Sequence, residues 1–345
     1  MKPVPEKVDL LDSRPDSCGG TDPVLLFSVL ALLAFGLVMV YSSSAVYAQD
    51  RTGDALYFVK RQFVSLLVGL TLLVLAFRMG YHRLVRFAYP LLLLAVLLLI
   101  LVLVPGIGSR AGGSSRWIRV GFMGFQPAEL AKVAFVVYLA WSLTRKRDRV
   151  RAFAAGFLPY LLVSGVFIVL LLSQPDFGTA AVLTILLFFM LFVAGTRMVY
   201  IVAAALVALP MAYGLIAGSE YRMRRLLAFL DPWAHRYDIG YQISESLMSF
   251  GSGGLTGAGL GEGKHKLFFL PAAHTDFIFS AVGEELGMVG AVALIALFAV
   301  VIWRGIRAAL RAPDLFGTYV AFGLTMLIAL HVLINVGVVT GLLPT

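Results

Sequence analysis

Apolar runs of roughly twenty residues, broken by charge, proline or glycine, recur along the whole chain, which is the length an α-helix needs to cross hydrocarbon. They lie near 23–47, 62–77, 87–104, 127–144, 153–173, 177–195, 198–217, 277–303 and 317–340. The pattern predicts an all-α polytopic membrane helical bundle with nine spans, a tail at 1–22 and one membrane domain over 23–345. Val24 to Val40 exceeds the apolar core of a signal peptide, so the first span is expected to remain uncleaved. The interval 218–276 is the one long interruption. It holds a basic cluster, the turn-rich Phe229-Leu230-Asp231-Pro232-Trp233, an amphipathic stretch from Tyr241 to Met248 and a glycine run from Gly251 to Gly263. A loop of that size inside a compact domain is usually functional.

Composition agrees with the pattern. Of 345 residues, 60% are hydrophobic and 14% charged, and the mean hydropathy of +0.91 excludes an ordinary soluble domain. The single cysteine, Cys18, closes no intrachain disulfide and is read as a free thiol in the tail. The net charge of +9 points to membrane topology and anionic headgroups, with no nucleic-acid partner. More than half of the 28 Lys and Arg residues fall in the tail and in alternate short loops, at Arg78, Arg83, Arg86, Arg145 to Arg151, Arg197, Arg304, Arg307 and Arg311. By the positive-inside rule the N-terminus is then cytoplasmic and 218–276 is a large extracytoplasmic loop.

Several segments carry candidate chemistry. The run Gly257-Ala258-Gly259-Leu260-Gly261-Glu262-Gly263-Lys264-His265 fails the phosphate-loop test, because Ala258 and His265 stand where a Gly and a hydroxyl are required. Two readings remain open: a turn-and-hinge segment, or a bare-backbone cradle for phosphate or sugar beside Lys264 and Lys266. His274-Thr275-Asp276 leads into an apolar helix, where Thr275 or Asp276 is placed to cap it. Positions 276, 280, 283, 284 and 287 share one face of that helix, so Asp276 and Glu284 lie along a stripe of small residues that should face protein or water. Ionisable groups at membrane depth need partners. Lys132, one turn from Glu129 in Gln126-Pro127-Ala128-Glu129-Leu130-Ala131-Lys132, is expected to pair with Glu284 or Glu285 inside the bundle; the alternative is an outward reach beside Glu129.

On this topology the outer face gathers Asp276, Asp176, Arg116, Arg222, Arg225, Lys264 and Lys266, with the interfacial Trp117 beside Arg116. A carboxylate can take a proton from a hydroxyl, and cations can stabilise a departing diphosphate. That combination suits glycosyl transfer from a lipid-linked diphosphate. A lipid-precursor flippase, with Glu284, Glu285 and Lys132 along a path, and a non-catalytic scaffold are the competing readings.

The chain closely resembles the SEDS family (shape, elongation, division and sporulation). The resemblance rests on Ser115-Arg116-Trp117-Ile118, the Gln126 to Lys132 stretch, Gln174-Pro175-Asp176-Phe177-Gly178-Thr179, Leu230-Asp231-Pro232-Trp233, the glycine run, His274 to Phe279, Gly283-Glu284-Glu285-Leu286-Gly287 and Gly341-Leu342-Leu343-Pro344-Thr345. Gly283 before the paired glutamates and the ending from Val338 are more similar to the division branch than to the elongation branch. The resemblance implies a ten-helix bundle that polymerises lipid II at the outer face of the bacterial cytoplasmic membrane, at the division septum. Undecaprenyl-diphosphate-linked glycan is the donor strand. It implies Asp276 as the essential carboxylate, His274, Thr275 and Trp117 among the substrate-binding residues, and Glu129, Lys132, Glu284 and Glu285 as a supporting ion network. It further implies a divalent cation, Mg or Mn, at the diphosphate, a class B penicillin-binding protein transpeptidase as partner, and other divisome membrane proteins. Two departures stand out. Ala272 and Ala273 occupy positions where the family often carries Glu, and the chain stops at Thr345, where the family continues into a tenth span.

Overall fold

The computed structural model describes residues 21–111, 114–120, 123–264 and 275–344, so Cys18, Lys266 and His274 lie outside the described residues. All nine apolar runs fall in helices among the described residues. These are α1 (Pro23–Thr52), α2 (Tyr57–Met79), α3 (Leu84–Leu103), α4 (Pro127–Arg145), α5 (Leu158–Ser173), α6 (Phe177–Val193), α7 (Met198–Ala217), α10 (Ile278–Leu310) and α11 (Leu315–Val339), with α8 (Glu220–Leu230) and α9 (Tyr241–Gly253) between them. Among the described residues seven helices are long and apolar enough to cross a membrane, and α6 is a shorter apolar helix. The helix α4, which carries Glu129, Lys132 and Arg145, is not among the seven, yet it is the most enclosed helix of the bundle.

Local signals account for the ends. Asp22 caps α1 by accepting hydrogen bonds from the N–H groups of Val24 and Leu25, each at 3.1 Å, and Pro23 occupies the first turn, where a missing N–H costs nothing. Ala128, Ala131 and Ala134 of α4 are fully buried, so neighbouring helices approach it closely. Phe135, Leu139 and Leu143 of α4 pack with Leu99 of α3, Phe167 and Leu171 of α5, Leu183 and Leu186 of α6, and Leu327 and Leu330 of α11. By contrast α2 buries no residue and α7 buries only Ile201; their apolar surfaces are matched to hydrocarbon.

Two ties define one end of the bundle. Arg304 pairs with Asp22 at 2.6 Å, and Asp314 accepts from the Tyr81 hydroxyl at 2.5 Å beside His82 at 3.1 Å. The starts of α1, α3 and α11 and the end of α10 therefore share that end. The α3–α4 connection and the α5–α6 turn lie at the other.

The structure shows regular elements between the spans in two places. Residues Gly108–Ala111, Ser114–Val120 and Met123–Phe125 form an antiparallel sheet, β1–β2–β3, in which Ser109 faces Trp117 and Ile118 faces Phe125. The β-branched and aromatic run Trp117-Ile118-Arg119-Val120 favours that pleated surface. Within the long interval the basic cluster lies on α8 and the amphipathic stretch becomes α9, which packs into the bundle against α10 and α11.

The helix α10 is broken at Gly287, whose φ of 65° and ψ of −165° are accessible essentially to glycine alone. The glycine segment after α9 fills the break. The carbonyls of Glu284 and Glu285 accept from Ala258 and Gly259 at 2.9 and 3.0 Å, while the N–H groups of Met288 and Val289 donate to Gly254 and Leu255 at 3.0 and 3.2 Å. Two helical hydrogen bonds, 288 to 284 and 289 to 285, are thus exchanged for four bonds to another segment, and none of these groups is left bare. A β-carbon on Gly257 would overlap the Glu285 carbonyl. Gly287→Ala should cost at least about 1–3 kcal/mol from backbone strain, before any clash with Leu255 and Gly257. Thermal unfolding in detergent checks this, and an unchanged midpoint would mean that the break does not form.

Candidate functional site

Asp276 sits in the turn that leads into α10 and is exposed. The next residue, Phe277, is buried in a cluster with Phe279, Ala291 and Val339, which anchors the turn from below. From α11, the side-chain amide of Asn335 donates to the Asp276 carbonyl at 3.0 Å. The backbone of Asp276 is held on both sides, while its carboxylate makes no hydrogen bond or ion pair among the described residues. Thr275 beside it is also exposed. Asn335 lies one turn from the end of α11, which puts Asp276 at the rim opposite the Asp22–Arg304 tie.

One turn down the same face of α11, the ring of His331 meets Lys132. The Lys132 ammonium lies 2.9 Å from the Glu129 carboxylate and 2.6 Å from His331 Nε2. The lysine side chain is 4% exposed and that of Glu129 61%, so the cation is enclosed and its counter-ion stands at the surface. The expected pairing of Lys132 with Glu284 or Glu285 does not occur. The i, i+3 spacing on α4 delivers Glu129 directly, and the glutamates are engaged elsewhere.

Glu284 and Glu285, both buried, grip the glycine segment. Glu284 accepts from the Lys264 N–H at 2.5 Å and from the Ser249 hydroxyl at 3.1 Å. Glu285 accepts from the Gly261 N–H at 3.0 Å and from the Ser42 hydroxyl of α1 at 2.6 and 2.7 Å. Charged hydrogen bonds of this kind are the strong ones in a low dielectric. The stripe of small residues does face protein, since Gly283 lies against the Phe250 ring and Ser280 accepts from Ser249. The cradle reading of the glycine run is corrected. The N–H groups of Ala258, Gly259, Gly261 and Lys264 are spent on the two glutamates, and the segment is a re-entrant wedge. The two glutamates and Lys132 do not line one path among the described residues, because they bond to different partners.

Arg116 and Asp176 do come together, in a structural setting. The Arg116 guanidinium donates to the carbonyls of Gln174, at 3.2 Å, and Pro175, and lies 3.9 Å from Asp176. Asp176 caps α6 through the Thr179 N–H at 3.2 Å, and Gln174 donates to the Leu99 carbonyl at 2.9 Å. One oxygen of Asp176 is buried without a hydrogen-bond partner among the described residues. Trp117 is exposed beside Gly124 of the facing strand. On α8, Arg225 stacks over the Tyr221 ring at 4.5 Å, Arg224 pairs with Asp238, and the Nε of Arg222 is buried without a hydrogen-bond partner among the described residues. No bond among the described residues ties these arginines, or the exposed Lys264 side chain, to Asp276. Among the described residues no group of three His, Cys, Asp or Glu side chains stands close enough to hold a metal ion.

Four residues absent from the sequence reading complete the picture: Ser42, Ser249, His331 and Asn335. His331 and Asn335 carried a usable signal, as polar side chains four residues apart in an otherwise apolar helix. The serines carried little, since hydroxyls in membrane helices commonly bond to their own backbone.

A sequence profile of the FtsW, RodA and SpoVE family, described as cell cycle proteins, matches residues 23–345. The chain is 48% identical over 324 residues to the probable peptidoglycan glycosyltransferase FtsW of Geobacter sulfurreducens, covering 94% of this chain and 87% of that protein. It is 41% identical over 323 residues to stage V sporulation protein E of Bacillus subtilis, covering 94% and 88%. Among solved structures, a chain from a peptidoglycan synthase complex, described as coordinating polymerization and crosslinking, superposes with a TM-score of 0.77 at 31% identity over 93% of this chain and 88% of that one. The rod shape determining protein RodA of Thermus thermophilus superposes with a TM-score of 0.66 at 29% identity, covering 91% and 83%.

The clamp makes its own prediction. Glu284→Gln replaces one carboxylate oxygen, an acceptor, by an NH2 donor and should loosen the wedge. Amide exchange of Ala258, Gly259 and Lys264 should rise about tenfold or more, the equivalent of about 1.4 kcal/mol of local stability. Wild-type protection at these amides would mean that the carboxylate does not hold the segment.

Proposed function

Since the chain belongs to the FtsW, RodA and SpoVE cell cycle protein family, we propose that it is a peptidoglycan glycosyltransferase that polymerises lipid II during cell division. The observation that carries this reading is the Asp276 carboxylate, exposed at the rim on a backbone pinned by Asn335 and Phe277. Such a group can accept a proton from a sugar hydroxyl while the lipid tails stay in the bilayer. In the step proposed, Asp276 takes the hydroxyl proton of the acceptor sugar as its oxygen attacks the anomeric carbon of the donor. The bond from that carbon to the diphosphate breaks, and the lipid diphosphate leaves with the bonding electrons. A single in-line displacement inverts the anomeric centre. The negative charge that grows on the diphosphate calls for nearby cations, and Lys132, enclosed one turn below Asn335 on the α11 side, is the best-fixed one among the described residues.

The described side chains do not form a cage for Mg or Mn, so a divalent cation would have to come with the diphosphate, and no step is routed through it. The orientation proposed puts the N-terminus in the cytoplasm and Asp276 outside, because the end marked by Asp22, Tyr81, Arg304 and Asp314 also gathers the basic loops. The partner proposed is a class B penicillin-binding protein transpeptidase at the septum, in company with other divisome membrane proteins. The synthase complex that this chain resembles supports it. The greater identity to FtsW proteins than to RodA favours division over elongation.

Asp276→Asn in the full-length protein, reconstituted with its transpeptidase, should reduce glycan polymerisation from purified lipid II by at least about 100-fold, the lower range for losing a general base. Co-purification of the partner should be unchanged. Polymer formed at the wild-type rate would remove Asp276 from the chemistry.

A further inference from the structure

We propose that His331 and Asn335 are positioning residues, which make one face of α11 the element that sets the candidate base and the enclosed cation at a common spacing. The inference rests on the reading of Asp276 as general base and extends it to two polar residues inside an apolar helix. The two side chains are four apart, so they share a face of α11 with an axial offset of about 6 Å. Asn335 donates to the Asp276 carbonyl at 3.0 Å, and His331 meets Lys132 at 2.6 Å. Among the described residues, no other hydrogen bond or ion pair links the turn holding Asp276 to the Glu129–Lys132 pair.

The hydrogen-bond pattern dictates the state of His331. Its Nδ1 lies 2.7 Å from the Leu327 carbonyl, which can only accept, so Nδ1 carries the hydrogen. Nε2 faces an ammonium, which can only donate, so Nε2 is a bare lone pair. His331 is therefore the neutral ring with a defined tautomer, locked by its own helix backbone. Lys132 has three N–H donors. One goes to Glu129 and one to His331, so the direction of the third is determined. A lysine on a flexible stem becomes a directed donor, which is what stabilising a leaving diphosphate requires. Asn335 performs the matching task for the base. It binds the backbone of Asp276 and leaves the carboxylate unencumbered.

Ordinary packing is the competing explanation. Under it, the two polar residues only satisfy buried neighbours, and their loss lowers stability without a selective effect on turnover. The test uses the full-length protein with its transpeptidase, purified lipid II, steady-state kcat and KM, and thermal unfolding in detergent. His331→Leu removes the lone pair, and His331→Gln restores an acceptor through its carbonyl oxygen. Asn335→Asp keeps the shape and removes the donor. We expect His331→Leu and Asn335→Asp each to lower kcat by about tenfold or more, with KM within about threefold, the pattern of an interaction made in the transition state. His331→Gln should stay within about threefold of the wild-type kcat. Should His331→Leu fail to fold, Asn335→Asp and His331→Gln carry the comparison.

Wild-type kcat in Asn335→Asp, or equal loss of kcat in His331→Gln and His331→Leu, would overturn the proposal. So would a loss of thermal stability with normal turnover per folded molecule. An active Asp276→Asn in the same assay would instead reject the base reading beneath it, so the two failures are told apart.

Discussion

Inside hydrocarbon every backbone N–H and C=O must find a partner within the protein, and that constraint decides how a glycine-rich segment enters this bundle. The break at Gly287 frees two carbonyls and two N–H groups of α10. Gly254, Leu255, Ala258 and Gly259 take up all four. Without the wedge the broken helix would expose polar backbone; without the break the wedge would have nothing to bond to. Each is the condition for the other. The glycines permit the approach, because a β-carbon at Gly257 or Gly287 would stand where the other backbone runs.

The acidic pair extends the same logic to side chains. Carboxylates at membrane depth are costly unless compensated by charge or by strong hydrogen bonds. Glu284 and Glu285 recruit backbone N–H groups of the wedge and hydroxyls from α9 and α1. Their charge therefore works as an attachment between three parts of the chain. Lys132 solves the opposite problem on α4, where a neutral ring and a rim carboxylate accept from it. Two independent polar clusters result, and Asn335 joins the rim aspartate to the helix that carries the second.

The spans were legible because bilayer thickness leaves so few options: a run of twenty apolar residues is a helix whatever its neighbours are. The position of Asp276 was legible because its motif lies at a helix entry, and the structure puts it in the exposed turn before α10. What escaped was pairing. The stripe at 280, 283, 284 and 287 was correctly read as facing protein, but the identity of that protein, a glycine segment some thirty residues upstream, depends on a reversal of chain direction that no local period encodes. Lys132 was assigned to the wrong acids for a similar reason. Reasoning from cost alone selects the deepest carboxylates, whereas the helix had already placed Glu129 within reach. The sheet around Arg116 was missed because Gly and Ser flank a strand of only seven residues.

These placements separate what can move from what is held. The rim carries the exposed Asp276, Trp117 and Glu129, on a turn, a strand and a helix's first turn, where a bulky headgroup can be met without opening the bundle. Beneath it the wedge and the clamp are bonded to one another, and the Lys132 side chain is enclosed. A substrate whose tail is dissolved in the same bilayer needs only its headgroup brought to the rim, so affinity for the tail need not be built into a deep pocket. Demand falls instead on orientation: the base and the cation must hold their spacing against a polymer that moves by one unit after each transfer. A transmembrane helix is a stiff element at that scale, and two side chains one turn apart on α11 give that spacing the rigidity of the bundle itself.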